Sequence, residues 1–224
     1  MIDNLLAAKG EDRILLLSGG PSSHVARKSM FAKGMNKRMV ITQPPITPQI
    51  NHSPLNGETI LEIEKQPMHG SLQTLTDNGW KVTGLISAKS IEEMLRSLKS
   101  QTPKGSLWAG ALSYDLVQWT QPIRLQHPPK EGEILAILWL VDEWMESEVV
   151  FPELPKPLKI EGERSSHTDE QHSEIVSQVK NSITAGELYQ LNFGRTWEGP
   201  LGENPASIFH RLAVNNPAPF SGYI

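Results

Sequence analysis

The 224-residue chain contains no cysteine. That excludes a disulfide scaffold, a thiolate zinc site and a cysteine nucleophile. Aromatic residues are sparse at 6%, and neither sign of charge dominates: 21 Lys and Arg against 25 Asp and Glu leave a formal net charge of -4. Such a balance argues against a protein that works by neutralising phosphates, so no nucleic-acid partner is expected. Long apolar runs are also missing. The longest, Ile134 to Val141, is far short of the ~18 residues a membrane helix needs. The N-terminus, Met1-Ile2-Asp3-Asn4, is not basic, and Leu5 to Ala8 is too short for the apolar core of a signal peptide. The expectation is a soluble cytoplasmic protein with no membrane partner, in which the sequon Asn51-His52-Ser53 is a chance match.

What is present is a globular composition, 38% hydrophobic and rich in turns, with 17 glycines and 17 prolines. Short strands dominate the first 160 residues. Arg13 to Ser18 stops at Gly19-Gly20-Pro21, and Lys37 to Thr42 stops at Pro44-Pro45. Ser71 to Thr76 and Trp80 to Thr83 face each other across Asp77-Asn78-Gly79, a hairpin signal. Further strands are expected at Ser106 to Tyr114, Ile134 to Val141 and Ser147 to Phe151. One helix interrupts them: Ser90 and Glu93 form a capping box, and Ile91, Met94, Leu95 and Leu98 repeat at helical spacing.

The segment around Pro152, Pro155 and Pro157, followed by Glu161 to Ser166, reads as a linker. A helix then opens at Thr168, with Gln171 three residues on and Asp169 and Glu170 at the positive end of its dipole. Its stripe is Ile175, Val176, Val179 and Ile183, and Gly186 closes it. Beyond Gly186 the period changes to two: Tyr189, Leu191 and Phe193 alternate with Leu188, Gln190 and Asn192, as on a strand. Asn204 and Pro205 open a last helix with Ile208, Phe209 and Leu212 on one face. Ser221 to Ile224 reads as a strand just beginning, so the chain is expected to be the first part of a longer protein. Mixed strands and helices without βαβ alternation give an α+β fold class, with antiparallel strands in packed sheets.

Signatures of generic chemistry are few. Ser18 to Ser23 lacks the lysine and the helix of a phosphate loop. Seven histidines are scattered, and His167 and His172 have the wrong spacing for a zinc pair. The basic stretch from Arg27 to Arg38 reads as a solvated face. The six tryptophans, spread over separate elements, read as packing residues. No metal ligand is assigned.

The stretch Ile183-Thr184-Ala185-Gly186-Glu187-Leu188-Tyr189-Gln190-Leu191-Asn192-Phe193-Gly194-Arg195, followed by Asn216-Pro217-Ala218-Pro219-Phe220-Ser221, resembles the chorismate-utilising enzymes. These are component I of aminodeoxychorismate synthase and of anthranilate synthase. Their pattern is Ile-x-Ala-Gly-Asp-x-Tyr-Gln-Val, a strand ending in Arg, a helix, then Asn-Pro-x-Pro-Tyr/Phe. Leu15-Leu16-Leu17-Ser18-Gly19 and Gly110-Ala111-Leu112-Ser113-Tyr114-Asp115 resemble two earlier family segments. Glu187 stands where Asp is usual, and the Glu that anthranilate synthases often carry before the serine is missing. Asn192 and Pro219-Phe220-Ser221 are worded more like aminodeoxychorismate synthase.

The resemblance implies an anthranilate synthase component I-like fold of packed antiparallel sheets flanked by helices, incomplete at the C-terminus. Residues 1–155 would form the N-terminal domain, 156–167 a linker, and 168–224 the truncated start of the chorismate-binding catalytic domain. It also implies a tryptophan site at Ser18, Pro219, Phe220 and Ser221. The catalytic residues and the ligands of a Mg²⁺ cofactor would lie beyond residue 224, so this chain alone should not turn over. In the whole enzyme, Mg²⁺ would hold the carboxylate of chorismate while ammonia from a glutamine amidotransferase, component II, replaces the 4-hydroxyl or adds at C2 before pyruvate is lost. Isochorismate and salicylate synthases fit the early Leu-Leu-Leu-Ser and Tyr-Gln-Leu-Asn segments less well. A reading of a different class is a non-catalytic module that binds tryptophan.

Overall fold

The computed structural model describes residues 5, 12–18, 28–45, 67–121, 125, 127–147 and 162–224. Eleven strands and three α-helices follow in order: β1 (Leu15–Leu17), β2 (Ser29–Gly34), β3 (Lys37–Thr42), β4 (Met68–Thr76), β5 (Gly79–Ala88), α1 (Ile91–Ser100), β6 (Leu107–Leu112), a 3₁₀ helix (Tyr114–Trp119), β7 (Ile134–Val141), β8 (Glu143–Ser147), β9 (Arg164–Ser165), α2 (Asp169–Thr184), β10 (Trp197–Glu198), α3 (Pro205–Asn215) and β11 (Ser221–Tyr223), among the described residues. Two compact units result, one of residues 1–150 with 217–224 and one of residues 151–216. The first holds a five-stranded sheet, β5-β4-β3-β7-β6, and a four-stranded sheet, β11-β1-β2-β8. Every strand pairing is antiparallel. The fold is α+β, as the composition of elements indicates.

The run Ile134 to Val141 explains the layering. A strand with one wet face alternates polar and apolar, whereas this one is apolar throughout and is buried on both faces. Ala136 and Leu138 join a core with Met39, Ile41 and Met68 of the same sheet and with Met94 and Leu98 of α1. Trp139 and Val141 join a second core with Ala109 of β6, and with Ile14 and Ala32 at the four-stranded sheet. Helix α1 therefore covers one side of the larger sheet and the smaller sheet covers the other.

Local sequence rules set the elements. The hairpin turns at Asp77 and Asn78, with Thr76 opposite Gly79, and Gly79 takes φ +91, a conformation open to glycine at little steric cost. Ser90 caps α1 by accepting from the Glu93 backbone N–H at 3.2 Å. The Glu93 carboxylate accepts from the N–H of Lys89, at 2.7 Å, one residue outside the expected box. Met94 and Leu98 are fully buried, while Leu95 from the expected stripe lies half in solvent. Gly110 has no room for a side chain: a Cβ there would stand 2.0 Å from the carbonyl oxygen of Ile137.

One polar cluster sits beside the second core. Arg38 donates to Gln73 Oε1 at 2.8 Å and to Asp12 Oδ2 at 3.2 Å. The indole N–H of Trp139 donates to the same Asp12 oxygen at 2.7 Å. The guanidinium lies 4.3 Å from the ring centre of Trp80. Arg38, expected on a solvated face, is thus held by a carboxylate, an amide and an indole.

In the second unit, Thr168 and Gln171 form the expected capping box of α2, and Gly186 ends the helix at φ +76. None of the residues of α2 is buried. The strand expected over Leu188 to Phe193 does not form, and Tyr189 is 96% exposed. The alternation is real, but a strand requires a neighbouring backbone to satisfy its donors and acceptors, and among the described residues none lies beside it. Helix α3 starts where expected, at Asn204 and Pro205, but its buried residues are Ala206, His210 and Ala213, whereas Leu212 is exposed. Helical spacing puts Phe209, half-buried, in the same stripe as Ala206, His210 and Ala213, whereas Ile208 and Leu212 lie on the other side. Of the strand expected at Ser147 to Phe151 only Ser147 lies among the described residues, as the last residue given for β8. Residues 148–161, with the first part of the expected linker, lie outside the described residues, as do Gly19-Gly20-Pro21 and the sequon at Asn51.

Glu203 and Arg211 form a two-pronged ion pair along α3, with Arg211 Nη1 donating to Glu203 Oε2 at 2.8 Å and Nη2 donating to Oε1. The Arg211 hydrogen bonds hold the Glu203 carboxyl below its ordinary value of 4.5. A depressed carboxyl contributes stability that is present above its unfolded pKa and is lost as pH falls through the folded one.

Two outcomes follow for stability. Gly110→Ala should lower the unfolding free energy by about 1–3 kcal/mol in urea titration, whereas Gly84→Ala, whose Cβ would meet Leu72 at an ordinary 3.5 Å, should change it by less than ~1 kcal/mol. Melting temperature should decline as pH drops below the ordinary carboxylate range, and Glu203→Gln should flatten that acid limb without changing its alkaline side.

Candidate functional site

The site expected from the resemblance combines residues from opposite ends of the chain. Strand β11 pairs antiparallel with β1, placing Leu15 opposite Tyr223, Leu16 opposite Gly222 and Leu17 opposite Ser221. Ser18 follows the paired end of β1, and Phe220 and Pro219 precede that of β11. The ladder therefore gathers Ser18, Pro219, Phe220 and Ser221 at one end of the four-stranded sheet. Alternation puts Ser221 on the face of the buried Leu17 and Gly222 on that of Leu16. Phe220 is 64% exposed, and Ser18 and Ser221 are half-buried.

Ser29 is a member of this end that the sequence did not reveal. It lies at the start of β2, is fully buried, and accepts the backbone N–H of Ser18 on its hydroxyl at 3.0 Å. A lone serine at the end of a basic stretch carries no signal of that role. Beside it, Lys28 donates to Glu146 Oε2 at 2.8 Å, and the Trp144 indole donates to the other carboxylate oxygen at 3.2 Å. The Lys28 hydrogen bond, with help from Trp144, holds Glu146 below its ordinary pKa, and Glu146 raises that of Lys28. Lys28, next to Ser29 in sequence, is thus already paired. The ladder end offers hydroxyls, a buried polar atom and an exposed aromatic ring, which suits recognition of a small polar ligand with an apolar part.

The second motif-bearing segment is organised by Arg195. Its side chain, mostly shielded, donates to Asp169 Oδ1 at 2.5 Å and to Ser165 Oγ at 2.7 Å, and stacks 4.6 Å from the centre of Trp197. One arginine so ties β9, the first turn of α2 and β10 together. At the same turn, Glu170 is held below its ordinary pKa by its own backbone N–H and by Thr168. Phe193 rests between His167 and His172, with ring centres 5.2 and 5.5 Å away. Gln190 reaches Asn192 Oδ1 at 3.5 Å, and both are exposed.

No group of three or more His, Cys, Asp or Glu residues that could hold a metal occurs among the described residues. None of the described residues is assigned to the Mg²⁺ implied by the resemblance, and no chemical step of this chain is routed through one. Among the described residues, no helix is long and apolar enough to cross a membrane.

Comparison with known proteins places the second motif-bearing segment. Residues 141–224 match the model of the chorismate binding enzyme family. Over 58 residues the chain is 29% identical to an anthranilate synthase of Azospirillum brasilense, covering 26% of this chain and 8% of that protein. Over 62 residues it is 31% identical to the chloroplastic anthranilate synthase alpha subunit 2 of Arabidopsis thaliana, covering 28% and 10%. The corresponding subunit of Oryza sativa subsp. japonica is 28% identical over 61 residues, 27% of this chain and 10% of that one. The matched stretch spans a tenth or less of the length of these relatives. No solved structure matches. Through the segment from Val141 to Ile224, which carries the Arg195-centred motif and the strand of the ladder, this chain is similar to the chorismate binding enzymes.

Proposed function

We propose that this chain is the N-terminal part of component I of aminodeoxychorismate synthase, which aminates chorismate for para-aminobenzoate and folate synthesis in the cytoplasm. The observation that carries the reading is the β1–β11 ladder. It sets Leu15-Leu16-Leu17-Ser18 beside Pro219-Phe220-Ser221, the two segments whose wording resembles the family at opposite ends of the chain. Asn192 and the Pro-Phe-Ser wording favour this product branch. In the whole enzyme the ammonia comes from a glutamine amidotransferase partner, and Mg²⁺ is held by residues that this chain does not contain.

The ladder end is the tryptophan site in this reading. The Ser18 and Ser221 hydroxyls are available to the polar end of the amino acid and the exposed Phe220 ring to its indole, since aromatic pairs add about 0.5–1.5 kcal/mol beyond burial. A second reading, component I of anthranilate synthase, is favoured by the names of the curated relatives. The two differ in product and share the site.

Titration calorimetry with L-tryptophan should show saturable binding, weakened about tenfold or more in the Ser18→Ala, Phe220→Ala double variant; equal affinity in both forms would remove the site. Expressed from its whole open reading frame and supplied with chorismate and ammonia, the enzyme should form aminodeoxychorismate. Fluorescent anthranilate as the sole product would select the second reading.

A further inference from the structure

The end of β1 that leads to Ser18 is held differently on its two sides. On one side the ladder with β11 runs as far as Leu17, opposite Ser221. On the other side the pairing with β2 stops earlier, at Leu16 opposite Met30. The backbone N–H of Ala32 donates to the carbonyl of Ile14 at 3.0 Å, so Ile14 and Leu16 turn their polar groups toward β2. One more step of that alternation would give the N–H of Ser18 to the carbonyl of Lys28. It goes instead to the side-chain oxygen of Ser29, at 3.0 Å.

The exchange of a backbone acceptor for a hydroxyl fixes Ser18 where the ladder no longer does. Ser29 is 1% exposed, so water is not at hand to replace its oxygen, and removing that oxygen would leave the Ser18 N–H without its acceptor. The strand that carries Ser29 is anchored in turn. Ser29 lies opposite Ser147 of β8 and Met30 opposite Glu146, and Lys28 donates to the Glu146 carboxylate at 2.8 Å. The backbone of Ser18 is therefore tied to the interior of the four-stranded sheet through one side chain. A ligand hydrogen bond to the Ser18 hydroxyl depends on that tie, because such bonds weaken steeply with misalignment. A hydroxyl placed before the ligand arrives also spares the cost of ordering it on binding.

We propose that Ser29 is a positioning residue of the ladder-end site: its buried hydroxyl holds the Ser18 backbone and so sets the place of the Ser18 hydroxyl. Ser29 acts through Ser18 rather than on the ligand. The inference rests on the tryptophan reading given above.

Titration calorimetry with L-tryptophan tests it as a double-mutant cycle. Ser29→Ala should weaken binding about tenfold. In the Ser18→Ala background the same change should weaken it by less than about threefold, because the hydroxyl it positions is already gone. A general loss of structure would weaken binding equally in both backgrounds. Such an equal loss, or unchanged affinity of Ser29→Ala, overturns the proposal and leaves the tryptophan site standing. Absence of tryptophan binding by the unaltered chain removes the site itself, and the proposal with it. If Ser29→Ala does not fold, amide exchange of the unaltered chain decides. Before tryptophan is added, the Ser18 N–H should exchange at least about tenfold more slowly than an open-chain amide, and exchange at the open-chain rate overturns the proposal.

Discussion

Everything in the first unit hangs on β7 being buried from both sides. An eight-residue apolar strand cannot face water on either surface, so it demands two covering layers. Helix α1 and the 3₁₀ helix supply one, and the four-stranded sheet supplies the other. The second layer is the one that matters for the site. Once the smaller sheet is required as a cover for Trp139 and Val141, strands β1 and β2 have fixed positions, and the ends of those strands, with Ser18 and Ser29, are placed without any ligand having to order them.

The polar cluster at Asp12 shows how that cover is tied down. Trp139 fills the gap between the sheets with its ring, and its buried N–H needs an acceptor. Asp12, three residues before β1, supplies it, and Arg38 offsets the carboxylate while stacking on Trp80. The ring that makes the core thus also anchors the segment leading into the site strand. This arrangement is not visible in the sequence, because an aspartate, an arginine and two tryptophans far apart in the chain have no local signature. The same holds for Ser29. By contrast β3, β7, the hairpin at Asp77-Asn78 and the three helix N-caps were legible, because each is decided by neighbours within a few residues: an apolar run, a turn dipeptide, a side-chain oxygen two or three residues before the backbone N–H it accepts.

Leu188 to Phe193 marks the limit of such local rules. Its alternation of apolar and polar residues is a preference for a pleated, half-buried surface, and a preference becomes a strand only when another backbone is there to receive it. The face of α3 failed for a related reason. Apolar side chains at helical spacing state which faces could be buried, but the neighbours decide between them, and the buried stripe of α3 is Ala206, His210 and Ala213, with Leu212 exposed. Sequence patterns report what an element can bury; only its neighbours settle what it does bury.

The ladder that builds the candidate site is short and costly to close. Joining residue 15 to residue 223 closes a loop of roughly 200 residues, an entropic cost of about 5 kcal/mol from chain length alone. Three residue pairs contribute at most a few net kilocalories, since a hydrogen bond yields about 1 kcal/mol after exchange with water. The pairing is therefore sustained by the sandwich beneath it, through buried Leu15 and Leu17, rather than by its own bonds. Elements of this kind occupy the low end of local stability, where a ligand that bridges the two strands acts with the greatest leverage. A small molecule held between Ser18 and Phe220 would bind the closed ladder and not the open one. Its affinity would thus be a direct measure of how firmly the two ends of the chain are joined.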